Sequence, residues 1–463
     1  MTLTVLLATV LWVIVVPIIF FQLPRRKAII ACLAAGWMFL PINSISFPGI
    51  PDIDKTALTC VPIFLLCFAL PGKGWKWPKF DIQDVLMLLF CITPFFSSMS
   101  NGLGLYDGIA ATLNRLPMWM YPYLLGRFYF NNTQAVRTLC WGLFIAGIVY
   151  VPFCLWEIRM SPQFHKIVYG FAQKEFMQSV RGSTYRPMVF MNTGLTVGMW
   201  MMMASYIGWQ MLRSRNMPII KTLPAVLQPR LLLFGLIGVF ILCKSYGAVI
   251  LFLVACLLFE LARMRRSKAI LMVLIFLPVI GVLVKTNSPR LGVEQEAVTF
   301  FEKVSTERAG SLQFRIDNET LLLEKALRKP TFGWGGWGGA FIYNEAGEKT
   351  SVVDGWWIIL LGANGILGLA LFYAILFLPA YRYARNFSKK DWDDPGAQLT
   401  LAVMAILPCY GIDALINDMQ TPIYMLVAGT VTSLITASKV TETEKEKEEH
   451  LAPVGPVPAF RYL

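Results

Sequence analysis

The sequence predicts an all-α, polytopic membrane protein, and three observations carry that prediction. Of 463 residues, 56% are apolar and only 15% are charged, whereas a soluble domain carries about 25% charge. Apolar stretches near 20 residues, the length a helix needs to cross a bilayer, recur along the chain. The cationic excess, a formal charge of +13, falls largely in the connections between alternate stretches. Cytoplasmic loops of membrane proteins are cationic in this way, so the charge needs no nucleic acid to explain it.

Candidate spans lie at about 2–23, 28–47, 56–71, 82–99, 108–130, 135–157, 188–211, 230–243, 245–262, 269–285, 353–380, 398–418 and 420–437. The first runs directly into Pro24-Arg25-Arg26-Lys27 and has no small-residue cleavage site. It reads as a retained anchor and not as a cleaved signal. Alternate connections carry Arg25 to Lys27, then Lys73, Lys76 and Lys79, then Arg127 and Arg137, then Arg213 to Arg230, then Arg263 to Lys268, then Arg382 to Lys390. The opposite short loops at 48–55, 97–107 and 413–421 carry only Lys55. This alternation predicts an outer N-terminus and a cytoplasmic C-terminus. The chain then divides into four parts. Residues 1–285 carry about ten spans with an outer loop at 158–187. Residues 286–352 form a large extracytoplasmic loop, and 353–437 carry about three further spans. The Glu- and Pro-bearing tail at 438–463 reads as a solvated, partly disordered cytoplasmic end.

Both long outer connections exceed ordinary loop length, which favours function over mere linkage. The first carries Arg159, Lys166, Lys174, Arg181 and Arg186; the second includes Lys285, Arg308, Arg315, Lys325, Lys329 and Lys349. Orientation needs no cations outside, so they predict an anionic ligand at the outer face. Other chemistries are disfavoured. The nine cysteines lie in apolar stretches without a CxxC, which supports neither a disulfide framework nor a zinc cage. With only His165 and His450, a His-rich metal site is excluded. No metal and no cofactor is expected. The run Gly333-Trp334-Gly335-Gly336-Trp337-Gly338 matches GxGxxG but follows no βαβ unit. It reads as a tight turn whose amides form a phosphate nest. Asp391-Trp392-Asp393 resembles the metal motif of nucleotide-sugar transferases, but its short loop has no room for a Rossmann-like domain, so it reads as chance.

The richest stretch runs from Glu307 to Leu369. Leu312, Ile316, Leu322, Leu323 and Leu327 follow helical spacing, and Arg308 and Arg315 share a face two turns apart. Pro330 ends that helix, the glycine run follows, and Asp354-Gly355-Trp356-Trp357 opens a span continuing through Gly365 and Gly368. This order resembles the O-antigen ligase and O-antigen polymerase superfamily of bacterial inner-membrane proteins. The correspondence takes in the Arg-bearing outer helix, Pro330 with Gly333 and Gly335, a polar residue opening a span, and Gly365 with Gly368. Arg181-Gly182-Ser183 and Ser245-Tyr246-Gly247 resemble two earlier landmarks of that family. Two positions depart from it: Asp354 stands where ligases carry a histidine, and Tyr246 where an arginine is usual, with Lys244 the nearest cation. The aspartate is more like the polymerase and exopolysaccharide branches.

The resemblance implies a GT-C-like membrane glycosyltransferase, independent of metal and of nucleotide sugars. It would move a glycan from a polyprenyl-diphosphate donor to the hydroxyl of a glycan or lipid-linked acceptor, at the outer face of the bacterial inner membrane. Its expected catalytic residues are Asp354, Arg308, Arg315 and Arg181, with Arg186, Lys244, Tyr246 and Glu345 around the substrate. Guanidinium groups suit a diphosphate leaving group because they bind phosphate oxygens in a bidentate fork. Polymerase-like transfer leads, and ligation to another acceptor is the alternative within the class. A flippase or transporter is the rival outside it. It would place its polar residues near the bilayer midplane, whereas here the charges gather in outer loops.

Overall fold

The computed structural model describes residues 2–451 except 48–49, 72–76, 183, 223, 225–226, 289–291, 304–305, 337 and 353. Helices form in every apolar stretch. They are α1 (Leu3–Gln22), α2 (Arg25–Phe39), α3 (Lys55–Ala69), α4 (Ile82–Ser100), α5 (Leu105–Arg115), α6 (Met120–Tyr129), α7 (Thr133–Met160), α8 (Phe164–Tyr169), α9 (Gly194–Arg213), α10 (Pro229–Leu242), α11 (Tyr246–Arg265) and α12 (Lys268–Thr286). The connection expected to be the large outer loop adds α13 (Val293–Glu302) and α14 (Thr306–Leu327). Then come α15 (Trp356–Asn386), α16 (Pro395–Met404), α17 (Ile406–Asp413) and α18 (Pro422–Leu451). Among the described residues, strands are confined to two short antiparallel hairpins, β1 (Ile45–Phe47) with β2 (Ile50–Ile53), and β3 (Val180–Arg181) with β4 (Thr184–Tyr185).

Among the described residues, seven stretches are long and apolar enough to cross a membrane: α1, α4, α7, α11, α12, α15 and the pair α16–α17. Helices α3, α10 and the first part of α18 are apolar but shorter. Several of the thirteen expected stretches therefore form helices that are shorter or divided. The stretch expected at 108–130 splits into α5 and α6 around Pro117, and that at 398–418 splits at Ala405. Proline has no N–H to donate. Pro408 therefore leaves the carbonyl of Met404 without its usual helical donor, and the Ala405 amide bonds to Ala402 instead.

Helix α9 is the centre of the bundle, buried almost throughout from Thr196 to Met211. Small residues let α6 and α18 cross closely: a Cβ on Gly126 would strike the Leu426 carbonyl, and one on Gly429 the Tyr123 carbonyl. Such close approach is how helices pack where apolar burial alone gives little preference. Polar anchors sit at the cationic ends. The fully buried Arg127 donates to both oxygens of Asp84 at 2.9 Å and to the Lys79 carbonyl at 2.7 Å. Arg382 forks onto Asp81.

The glycine-rich run is built into the bundle through its Trp334 and Gly335 amides; Trp337, within the run expected to form a phosphate nest, lies outside the described residues. Helix α15 is broken at Gly365, whose φ of 68° and ψ of −169° suit only glycine. The break strands carbonyls that the run satisfies: the Trp334 amide donates to Gly362 at 2.8 Å and the Gly335 amide to Ala363 at 3.1 Å. The Ile366 amide returns to Pro330 at 2.7 Å, and Ser97 Oγ donates toward both Phe332 and Ala363 carbonyls. A Cβ at Gly333 would lie 2.6 Å from α15 backbone atoms. Lys329 caps this unit over the Trp334 ring at 4.3 Å. The carboxylates of Asp391 and Asp393 are likewise used locally, on the Ser388 amide and on Arg266.

Candidate functional site

The first long connection is shaped by groups from the helices beneath it. The buried Glu157, in the last turn of α7, accepts from the amides of Phe164, Met188 and Val189 at 2.7–3.0 Å. His165 accepts the Ile42 amide at Nε2 at 3.1 Å while Nδ1 faces the Phe171 carbonyl at 2.8 Å. That pattern makes Nδ1 the protonated nitrogen and His165 a structural brace. Lys55 donates to the Phe190 carbonyl at 2.7 Å. Between these anchors the chain turns through β3 and β4, carrying Arg181 and Arg186 toward the second outer loop.

A cavity of about 710 Å³ lies where the two loops meet. Its wall takes Arg181 and Arg186 from the first loop, Arg315 from α14, Asp354 from the entry to α15, and Asp418 from the 414–421 connection. Segments predicted to be outer therefore converge. Arg315 Nε stands 3.1 Å from Asp354 Oδ2. Arg186 is half-buried; burial, then the neighbouring Arg181 guanidinium, pull its pKa down to about 10. Among the described residues its Nε is buried without a hydrogen-bond partner, while one Nη donates to the Lys244 carbonyl at 3.0 Å. Lys174 adds a fourth cation to the wall. An enclosed surface with an excess of guanidinium donors and an unsatisfied N–H suits a phosphate-bearing ligand.

The expected site residues divide. Arg181, Arg186, Arg315 and Asp354 come together in the cavity. Lys244 stands behind it: in a left-handed conformation, φ 51°, it donates to the Arg181 carbonyl at 2.8 Å and so fixes the hairpin. Tyr246, exposed at the start of α11, does not line the cavity, nor does Glu345, which is exposed in the Tyr343–Lys349 turn. Arg308 lies on α14 two turns before Arg315, but its side chain is outside the described residues. Asp354 does not cap α15. The helix starts at Trp356 after Gly355. The Trp356 and Trp357 amides donate to the Asn417 and Ala414 carbonyls, both at 3.1 Å.

Those two bonds lock the 414–421 loop beside Asp354 and bring in a residue that sequence reasoning missed. Asp418 accepts from Gln420 at 2.7 Å, and enclosure by the surrounding wall raises its pKa although its carboxyl is open to the cavity. The available signal was an acidic residue in a loop that the charge pattern predicted to be outer and that carries no cation. No protein-family model matches this chain, and no curated protein is significantly similar to it.

Proposed function

We propose that the protein is a metal-independent glycosyltransferase of the bacterial inner membrane. It transfers a glycan from a polyprenyl-diphosphate donor to an acceptor hydroxyl at the outer face, in the polymerase-like manner of O-antigen or exopolysaccharide synthesis. The observation that carries this reading is the convergence of Arg181, Arg186, Arg315 and Asp354 on one cavity, added to the motif resemblance of the segment that supplies them.

The roles follow from the chemistry. The donor's sugar carbon exchanges its bond to a phosphate oxygen for a bond to the acceptor oxygen. The diphosphate leaves as an anion onto the arginines, and the acceptor's proton goes to the Asp354 carboxylate. Fixed cations aimed at developing charge commonly contribute about 10²–10³ in rate. The diphosphate competes with Asp354 for Arg315, so donor binding opens the 3.1 Å pair and frees the carboxylate for the acceptor. The deciding experiment supplies purified protein in nanodiscs with lipid-diphosphate glycan and resolves products by length. Chains longer than the donor's unit are expected. An unchanged donor, with wild-type glycan in cells lacking the gene, rejects the reading.

A further inference from the structure

A second cavity, of about 390 Å³, adjoins the cationic one, and Asn192, Thr196 and Asp418 belong to the walls of both. A third, of about 540 Å³, shares Asp54 and Asn114 with it. The three neighbour one another through these shared wall residues, and their chemistry differs. The cationic part holds the guanidinium donors. The adjoining part holds carboxylates, amides and indole rings: Asp54, Asn114, Gln420 and Asp418, with Trp37 and Trp119 in the wall.

This second part is unsuited to phosphate. Its cation, Arg115, is already committed to the Phe90 carbonyl, Thr93 and Asn364 at 2.7–3.2 Å. The carboxylates of Asp54 and Asp418 in this wall would repel an anion. A neutral polyhydroxyl ligand fits instead. Carboxylate and amide groups pair with adjacent hydroxyls; the indole rings of Trp37 and Trp119 are buried and give this wall an apolar backing. Among the described residues the indole N–H of Trp37 is buried without a partner, which leaves a donor in this wall unsatisfied. Pockets that are mostly preformed, with a few convergent polar groups, are the usual form of such sites.

We infer that this second cavity is the acceptor subsite: it binds the phosphate-free sugar end of the acceptor and presents one hydroxyl, past Asn192, Thr196 and Asp418, to the donor in the cationic cavity. The inference rests on the transferase reading above. It assigns the two halves of the substrate to two adjoining cavities of distinct chemistry.

The test measures equilibrium binding of two probes to full-length protein in nanodiscs. One is inorganic pyrophosphate. The other is the phosphate-free oligosaccharide released by mild acid from the host cell's lipid-diphosphate glycan. Asn114→Ala and Gln420→Ala should each weaken oligosaccharide binding about five- to tenfold, the scale of one lost hydrogen bond, and leave pyrophosphate binding unchanged. Retained pyrophosphate binding in the same samples also shows that the variants fold. Arg315→Lys should do the reverse. Oligosaccharide binding that is absent from the parent protein, or indifferent to both cleft substitutions, overturns the inference. Oligosaccharide binding lost in the cleft variants, with no transfer by the parent protein, rejects the transferase reading and leaves the sugar site standing.

Discussion

Arg315 on the outer-loop helix and Asp354 at the entry to α15 form an ion pair with Nε 3.1 Å from Oδ2. The two side chains are 46% and 37% exposed, and pairs so open to solvent contribute about 0–1 kcal/mol. The contact therefore adds little to folding. It links two segments at the wall of the 710 Å³ cavity; on the proposed reading, a diphosphate, which offers Arg315 several oxygens, displaces the carboxylate.

Asp354→Asn separates chemistry from structure. Because Gly355, and not Asp354, precedes the first turn of α15, the substitution removes no helix cap. As proton acceptor, Asp354 is expected to lose about 10²-fold or more in turnover on conversion to Asn. The melting temperature should move little, as expected from the exposed pair. Turnover in nanodiscs and thermal unfolding of the same sample check this. Near-normal turnover would place the base elsewhere.

Arg186→Lys keeps the charge and loses the planar fork. With its Nε unpartnered in the parent structure, Arg186 should bind the diphosphate directly. The substitution is expected to weaken pyrophosphate binding about tenfold, the scale of a hydrogen bond to a charged group. A titration of the Arg186→Lys variant that overlays the parent curve would remove this residue from the site.

Gly365→Ala tests the broken helix. Position 365 has a positive φ, and a Cβ there would collide with the Pro330 and Thr331 carbonyls. A non-glycine residue in such a conformation costs about 1–3 kcal/mol, so the variant should melt earlier and accumulate less in the membrane. Gly336→Ala is the control, because nothing lies within 4 Å of a Cβ at that position. Equal melting temperatures for the two variants would contradict the role given to the break.

Enclosure by the surrounding wall raises the pKa of the Asp418 carboxyl although the side chain is open to the cavity, with the Gln420 hydrogen bond opposing. The folded protein therefore holds its proton to higher pH than the unfolded chain does. Stability falls as pH rises through the interval between the ordinary and the raised value, and the loss persists above it. Asp418→Asn keeps an acceptor for Gln420 and removes that cost. It should melt no earlier than the parent at neutral pH, with any advantage vanishing below the ordinary carboxylate range of about 4. A parent protein whose melting temperature rises through this interval, relative to the variant, would refute the assignment.

Composition and apolar run length were enough to determine that this chain is a helical membrane protein, because the bilayer requires long apolar helices whatever their partners. The loop arginines were legible for a related reason: cations beyond those needed for orientation stand out in so apolar a chain. Span integrity was not read from the sequence, since the breaks at Pro117, at Ala405 before Pro408, and at Gly365 lie within stretches that are apolar on average. The sequence also read the glycine-rich run as a phosphate cradle, whereas its Trp334 and Gly335 amides are spent on carbonyls freed by the break at Gly365. Only the tertiary structure decided which charges meet. Arg181, Arg315, Asp354 and Asp418 are up to 237 residues apart, and their encounter depends on buried anchors such as Glu157 and on the hydrogen bonds tying Trp356 to Asn417. Such contacts follow from how helices pack in three dimensions, and spacing along the chain holds no record of them.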